Sequence, residues 1–241
     1  MNQIHDTASA RFGGWTTSTT LPPGVRDPSV TAADHAYRYL KDLIVTLELP
    51  PRAIITESEV ATATGVSRTP VREAFFRLHS EKLLDILPRR GAVVPEITLR
   101  NIREQAETRL VMEGHGVERI CAERIMVTDE LLRLVEEQRT VLNEDPNRIV
   151  DMIRIDKEFH WTIVKATGNT EFAQLYNTLH DRQVRIGIAM FGAVRRRPCD
   201  AIDEHAHIAE ALAEFNVDEA LERLKYHLIG SLTQISGIFT N

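Results

Sequence analysis

The sequence contains few cysteines, few aromatic residues and no long apolar run. Its two cysteines, Cys121 and Cys199, lie far apart and outside any CxxC pair, which argues against a disulfide framework or a thiolate zinc site. The longest apolar stretch, residues 186–194, is far shorter than a membrane span, and the N-terminus lacks the apolar core of a signal peptide. These absences predict a cytoplasmic protein with no membrane contact.

A general excess of positive charge is also missing. The 241 residues carry a formal net charge of −6, and residues 31–97 hold as many acidic as basic side chains. Any affinity for nucleic acid must therefore come from where the basic residues are placed. With 43% hydrophobic residues, a chain of this length suits two modest domains, each with its own core.

Residues 56–91 carry the pattern of a helix-turn-helix. Thr56 and Glu59 have capping-box spacing, so a helix is predicted to begin directly after Thr56. Gly65 follows that short helix and suits the left-handed position that turns the chain. Ser67 is a candidate N-cap for a second helix, which is predicted from about Arg68 to Ser80.

The second helix has an apolar stripe and a basic end. Arg68 and Arg72 lie four residues apart at its N-terminal end, where a recognition helix presents side chains to base edges. After the helix, residues 84–94 predict a small hairpin whose turn carries Arg89 and Arg90, a candidate wing. A single arginine of this kind is more simply a solvated surface charge, but the combination favours DNA binding. The stripe consists of Val71, Ala74, Phe75 and Leu78.

The segment SRTPVREA, followed by a leucine-bearing helix and PRRG, resembles the DNA-binding domain of the GntR family of bacterial transcription regulators. The resemblance covers about Ala33 to Pro95. Where the family has glycine, this chain has Arg52 and Lys82, and a non-glycine residue at positive φ is uncommon. The resemblance implies that bases or adjoining phosphates are contacted by Arg68, Thr69 and Arg72, a phosphate by Ser67, and the minor groove by Arg90 and Gly91.

The rest of the chain divides into a tail and a bundle. Residues 1–30 are rich in Thr, Ser, Gly and Pro and predict a flexible tail. Residues 31–97 form the predicted winged helix-turn-helix, whose first helix spans about Ala32 to Leu47. Residues 98–241 show helical periodicity without strand patterns and predict an all-α antiparallel bundle. The predicted bundle helices are Leu99 to Ile125, Asp129 to Asn143, Arg148 to Thr167, Glu171 to Phe191, Ala201 to Phe215 and Val217 to Phe239.

Four polar residues fall on apolar stripes of these helices. Asp156 and His160 lie one turn apart in the third helix, while His205 and His227 lie on the stripes of the fifth and last helices. Burying them singly would be costly, whereas a shared metal ion satisfies all four. One carboxylate and three imidazoles suit zinc, nickel or another divalent transition metal. Each histidine alone is more often a satisfied core residue or a partly exposed one, but four polar residues on such stripes favour a metal site.

The spacing of these four residues also resembles the FCD ligand-binding domain of the FadR branch of the GntR family, over about Asn101 to Phe239. The resemblance implies a divalent metal held by Asp156, His160, His205 and His227, and a small carboxylate effector beside it. Arg109 lies on the stripe of the first bundle helix and needs an anion. Its partner is either Glu113, four residues on, or the effector's carboxylate.

The sequence therefore predicts a mainly α, metabolite-responsive transcription regulator, a repressor rather than an enzyme. It is expected to bind double-stranded operator DNA as a homodimer, because operator symmetry matches the two-fold symmetry of a dimer. Two alternatives stay open. One is a metal-dependent hydrolase with Glu113 as its base, and the other is a DNA-binding protein whose bundle only dimerises.

Overall fold

The computed structural model describes residues 21–25, 29–194, 196–230 and 232. The chain divides into two compact units, which meet in sequence between Glu96 and Ile97. The tail predicted for residues 1–30 lies mostly outside the described residues. Among the described helices, none combines the length and the apolar character needed to span a bilayer.

The first unit packs three helices against a small antiparallel sheet. The elements are α1 (Ala32–Val45), β1 (Ile54–Ile55), α2 (Glu57–Thr64), α3 (Arg68–Ser80), β2 (Asp85–Leu87) and β3 (Gly91–Val93). The sheet order is β1-β3-β2, with Ile54 opposite Val93 and Leu87 opposite Gly91. The predicted hairpin is present as β2 and β3, whereas β1 was not predicted, because two residues are too few to show an alternating pattern.

The local signals around the turn form as predicted, with one exception. Thr56 and Glu59 make both hydrogen bonds of a capping box, and Gly65 adopts a φ of 67° at the end of α2. Ser67 occupies the N-cap position of α3, but its hydroxyl makes no capping hydrogen bond. The side chain of Ser67 is exposed and is therefore available to an external partner.

The predicted apolar stripe of α3 lies in the core of the first unit. Its four residues are at most 3% exposed and pack with α1, the sheet and Val60 of α2. This packing fixes α3, so its opposite face and its N-terminal end, with Arg68 and Arg72, point away from the core. The stripe residues are Val71, Ala74, Phe75 and Leu78.

Lys82 closes the C-terminal end of α3 in a left-handed conformation, with φ of 60°. The amide of Lys82 donates to the carbonyl of His79, and the amide of Leu83 donates to the carbonyl of Leu78. This bond pair is a Schellman motif, in which glycine is the usual residue at the left-handed position. The turn therefore closes without glycine, at a cost of about 1–2 kcal/mol in backbone strain.

The described part of the bundle unit is helical and contains no strand, as predicted, and it includes one π-helical segment. Helix α6 packs against α4, α5 and α8, and α9 packs against α5 and α10. The elements are α4 (Leu99–Glu123), α5 (Thr128–Glu144), α6 (Ile149–Lys165), α7 (Thr170–Asn177), α8 (His180–Ala193), α9 (Arg197–Ala213), α10 (Val217–Lys225) and the π-helical segment (Tyr226–Gly230).

Two predicted bundle helices differ from the structure. The prediction of one helix from Glu171 to Phe191 is wrong, because the chain turns between α7 and α8. There the amides of Thr178 and Leu179 bond carbonyls three residues back. No glycine or proline marks this turn in the sequence. The predicted helix from Val217 to Phe239 widens into the π-helical segment at Tyr226, and residues 231 and 233–241 lie outside the described part of the chain.

We expect Lys82→Gly to stabilise the first unit by about 1 kcal/mol, because glycine removes the left-handed strain at a smaller entropic cost. Gly65→Ala should destabilise it by about 1 kcal/mol. No atom lies within 4 Å of a Cβ added at Gly65, so only backbone strain would act there. Native-state hydrogen exchange of α3 amides in the full chain measures both effects. Changes of the same sign in the two variants would contradict this explanation.

Candidate metal centre and nucleic-acid interface

Four potential metal ligands from three parts of the bundle meet at one point. Asp156 and His160 lie one turn apart on α6, His205 lies on α9, and His227 lies in the π-helical segment. One ligand atom from each of these residues lies within 4.8 Å of all the others. The three histidines are buried, while Asp156 is partly exposed. Their arrangement brings together all four residues that the sequence singled out.

The Nε2 atoms of the three histidines face one another. His160 Nε2 lies 3.1 Å from His227 Nε2 and 3.2 Å from His205 Nε2. A carboxylate oxygen of Asp156 lies 3.4 Å from His205 Nε2. The ring of His205 stacks on Phe159 with centroids 4.3 Å apart, which fixes its orientation.

The opposite ring nitrogen of each histidine donates to an acceptor. The Nδ1–H groups of His160 and His227 donate to carboxylate oxygens of Glu113 and Glu204, both at 2.7 Å. The Nδ1–H of His205 donates to Gln138 Oε1 at 2.9 Å. These acceptors place the proton on Nδ1, so the Nε2 atoms present lone pairs to one another. Lone pairs at this separation repel unless a cation lies among them.

Burial keeps two of these rings neutral. It lowers the pKa of His205 and His227 well below the usual value, and the neighbouring histidine and arginine side chains add to the effect. Neutral imidazole is the form that binds metal ions. The donor set, its protonation and its supporting hydrogen bonds therefore all fit a divalent transition metal.

Glu113 is fully buried and accepts hydrogen bonds from three side chains. Arg109 Nε and the Tyr176 hydroxyl donate to Oε1 at 2.7 and 2.6 Å, and His160 donates to Oε2. Burial alone would raise the pKa of Glu113, but Arg109 and His160 hold it well below its usual value. Glu113 is therefore an anion that orients His160, and its lowered pKa and three hydrogen bonds make it a poor general base.

A pocket opens beside the four-residue cluster. Asp156 and His227 contribute to its wall, and so do the basic side chains of Arg109, Lys157 and Arg197. Arg109 pairs with Glu113, one of its two predicted partners, and it also lines the pocket. Only 16% of its side chain is exposed.

Four basic side chains of the first unit line one groove. A groove between α3 and the β2–β3 turn is lined by side chains that include Arg68, Arg72, Arg89 and Arg90. Arg72 pairs with both carboxylate oxygens of Glu57, at 2.7 and 2.8 Å, yet 63% of its side chain is exposed. The exposed residues include five of the six predicted DNA contacts, Ser67, Arg68, Thr69, Arg72 and Arg90.

Gly91, the sixth predicted contact, has a structural role of its own. Its φ is 106°, and a Cβ added there would lie 2.1 Å from the carbonyl oxygen of Ile55. Only glycine permits β3 to approach β1 this closely while the turn with Arg89 and Arg90 projects outward.

The model for bacterial regulatory proteins of the gntR family matches residues 32–94. The FCD domain model matches residues 104–230, more than half of the chain. The chain belongs to the gntR family. It is a GntR-type transcriptional regulator with a DNA-binding winged helix and an FCD domain, as the sequence predicted.

Similar proteins share this organisation. The GntR/FCD regulator is 28% identical over 198 residues to an uncharacterized HTH-type transcriptional regulator of Streptomyces ambofaciens, covering 80% of each chain. It is 33% identical over 130 residues to the gluconate operon transcriptional repressor of Bacillus licheniformis, covering 52% of this chain and 51% of the relative. A crystal structure of a GntR transcriptional regulator from Rhodococcus sp. RHA1 has a TM-score of 0.73 at 24% identity, covering 87% of this chain and all of that one. The last likeness concerns the fold.

These families and relatives are transcription regulators rather than enzymes. The hydrolase alternative is therefore abandoned, and the fixed ionisation of Glu113 gives a physical reason, because its candidate base is already engaged.

Some residues around the four-residue cluster and its pocket were not predicted from the sequence. Gln138 lies on the apolar stripe of α5, and its amide nitrogen donates to the carbonyl of Met152 at 3.2 Å, so the stripe could have revealed it. In sequence, the three consecutive arginines at positions 195–197 predict a charged loop, but Arg197 begins α9 and is 3% exposed. Nothing in the sequence separates it from Arg196, which is exposed. Arg195 lies outside the described residues.

We expect Glu113→Gln to destabilise the FCD unit by about 3 kcal/mol, because three buried donors, Arg109, His160 and Tyr176, lose a charged acceptor. Tyr176→Phe removes one donor and should cost about 1 kcal/mol. Hydrogen exchange of α4 and α6 amides in the full chain measures both losses. Equal losses in the two variants would rule out an ionic role for Glu113.

Proposed function

We propose that this regulator is a metal-containing repressor released or retained on its operator by a small carboxylate effector. The observation that carries the proposal is the convergence of three histidine Nε2 atoms with Asp156 beside a basic pocket. A repressor role is supported by the name of the Bacillus licheniformis relative, a gluconate operon transcriptional repressor.

Asp156, His160, His205 and His227 would hold the metal ion. Three nitrogen donors and one oxygen donor suit zinc or nickel. The acceptors on the Nδ1 atoms would orient the rings, as the outer partners of metal-ligating histidines do. When bound, the ion would supply a positive charge with open coordination positions next to the pocket.

The effector would bind through its carboxylate at this pocket. Arg109 already donates to Glu113 through Nε, and its remaining N–H groups can bind a ligand. Arginine pairs well with carboxylates. The relative from Bacillus licheniformis is named for a gluconate operon, and gluconate is itself a carboxylate, which supports this ligand class.

The winged helix would contact DNA through α3 and the β2–β3 turn. Arg68 donates to Ser58 Oγ at 3.2 Å, and Arg72 pairs with Glu57. Both guanidinium groups are at the protein surface, so a duplex can replace these partners without unfolding the domain. Ser67, Thr69, Arg90 and Gly91 would contribute phosphate and minor-groove contacts.

A homodimer would place two such winged helices on a palindromic operator. Effector binding would act by favouring one arrangement of the two winged helices over another, which requires different effector affinities for the two arrangements.

We expect protein purified without a metal-affinity tag to contain about one equivalent of divalent metal per chain, measured by elemental analysis. His205→Ala should abolish stoichiometric binding. Gln138→Leu, which removes only the acceptor for His205, should weaken it by roughly 10- to 100-fold. His207→Ala is the matched control, because His207 is exposed on the same helix.

Chelation should also lower the melting temperature of the wild-type protein. Absence of stoichiometric metal, together with an unchanged melting temperature after chelation, would leave the bundle with dimerisation as its only role.

We expect Arg68→Ala and Arg72→Ala each to weaken binding to an operator selected from random duplexes by on the order of 10- to 100-fold, because each loses a pairing with a base. Mobility-shift titration at fixed salt measures the change. Arg133→Ala is the charge-matched control, since Arg133 lies on the surface of α5 in the other unit.

Sedimentation of the same samples should give a dimer for all variants. Wild-type affinity in both Arg68→Ala and Arg72→Ala would contradict the assignment of α3 as the recognition helix.

A further inference from the structure

We infer that the effector carries two acidic groups, and that Arg197 binds the second of them. This inference rests on the proposed function, because it assigns a ligand class to the pocket where the carboxylate effector would bind. The most economical ligand of this class is a short dicarboxylic acid.

Two arginines border the pocket in equivalent ways. Arg109 donates to Glu113, whose other oxygen accepts from His160. Arg197 Nη1 donates at 2.8 Å to Glu204 Oε2, which also accepts from His227. Each arginine is thus joined through a carboxylate to a histidine of the four-residue cluster, and both arginines line the pocket.

The pocket wall carries more basic side chains and hydrogen-bond donors than one carboxylate can engage. A single carboxylate can engage Arg109 and the neighbouring metal site, which leaves Arg197 and Lys157 on the wall. Among the described residues, Arg197 Nε and Gln183 Nε2 have no hydrogen-bond partner although both atoms are buried, and both residues line this pocket. Buried donors without acceptors are costly, so these two groups indicate a second anionic or acceptor group in the ligand.

A role for Arg197 in holding Glu204 does not account for this arrangement. Arg197 donates to Glu204 through Nη1, whereas its Nε has no hydrogen-bond partner. Arginine has five N–H donors in a planar fork, so it can keep Glu204 and still bind a ligand carboxylate. Because Arg197 is only 3% exposed, bulk water is a poor source of the missing acceptor for Nε.

The remaining pocket wall is mostly apolar, with Gln105 as a polar exception. Ile102, Ile153, Val184 and Leu228 contribute aliphatic surface between the polar groups. Such a wall suits methylene groups, whereas several hydroxyl groups would need partners that aliphatic side chains cannot provide. The combination of acidic ends and an apolar middle favours a short dicarboxylic acid over a sugar acid.

The test is isothermal titration of zinc-loaded, full-length protein with succinate and glutarate, and with the monocarboxylates butanoate and pentanoate as length-matched probes. We expect the diacids to bind on the order of tenfold tighter or more. Arg197→Gln should remove this advantage while changing monocarboxylate affinity by less than about twofold. Arg196→Gln is the control, because Arg196 is the adjacent arginine and its side chain is 86% exposed.

A second variant separates ligand binding from support of the metal site. Gln183→Leu alters a pocket donor that bonds none of the four clustered residues, and it should weaken diacid binding roughly threefold at unchanged zinc content. Zinc content is measured for every variant, since Arg197 also contacts Glu204.

The outcomes separate the two proposals. Equal binding of mono- and diacids by the wild type, or an equal loss of both in Arg197→Gln, would overturn the two-acid inference and keep a carboxylate effector. Failure of every acid to bind zinc-loaded protein that still binds its operator would overturn both.

Discussion

The bundle is organised around three buried imidazole rings that point their Nε2 atoms at one another. Such an arrangement is unfavourable by itself, because rings that donate through Nδ1 turn their Nε2 lone pairs toward one another. Glu113, Gln138 and Glu204 enforce it by accepting from the Nδ1 atoms. The helices that carry these acceptors therefore hold the histidines in an arrangement that suits a cation.

The same acceptors connect this site to the pocket. Glu113 and Glu204 each accept from a pocket arginine as well as from a histidine. A ligand that engages Arg109 or Arg197 therefore changes the surroundings of groups that hold the histidines, and the reverse also holds. His227 lies in the π-helical segment, a distortion that is frequently found at functional sites. The four-residue cluster, the pocket arginines and the π-helical segment thus share one hydrogen-bonded network.

The winged helix shows a different balance between stability and function. Its core fixes α3 by the apolar stripe, whereas Arg68 and Arg72 contact Ser58 and Glu57 at the surface. Lys82 tolerates a left-handed conformation that the GntR family usually gives to glycine. Gly91 has no such freedom, because any side chain would collide with Ile55. The strain at Lys82 costs stability, whereas strain at Gly91 would displace the turn that carries the wing arginines.

The sequence by itself determined the features that depend on near neighbours. Capping pairs, turn glycines and helical periodicity act over a few residues, so α2, α3, the bundle helices and the inward position of three histidines were predictable. Tertiary structure alone decided which residues support them. The burial of Arg197, its bond to Glu204, the pairing of β1 with β3 and the turn between α7 and α8 depend on contacts or geometry that no local pattern encodes. Identical arginines at positions 196 and 197 acquire opposite environments because only one faces the packed bundle.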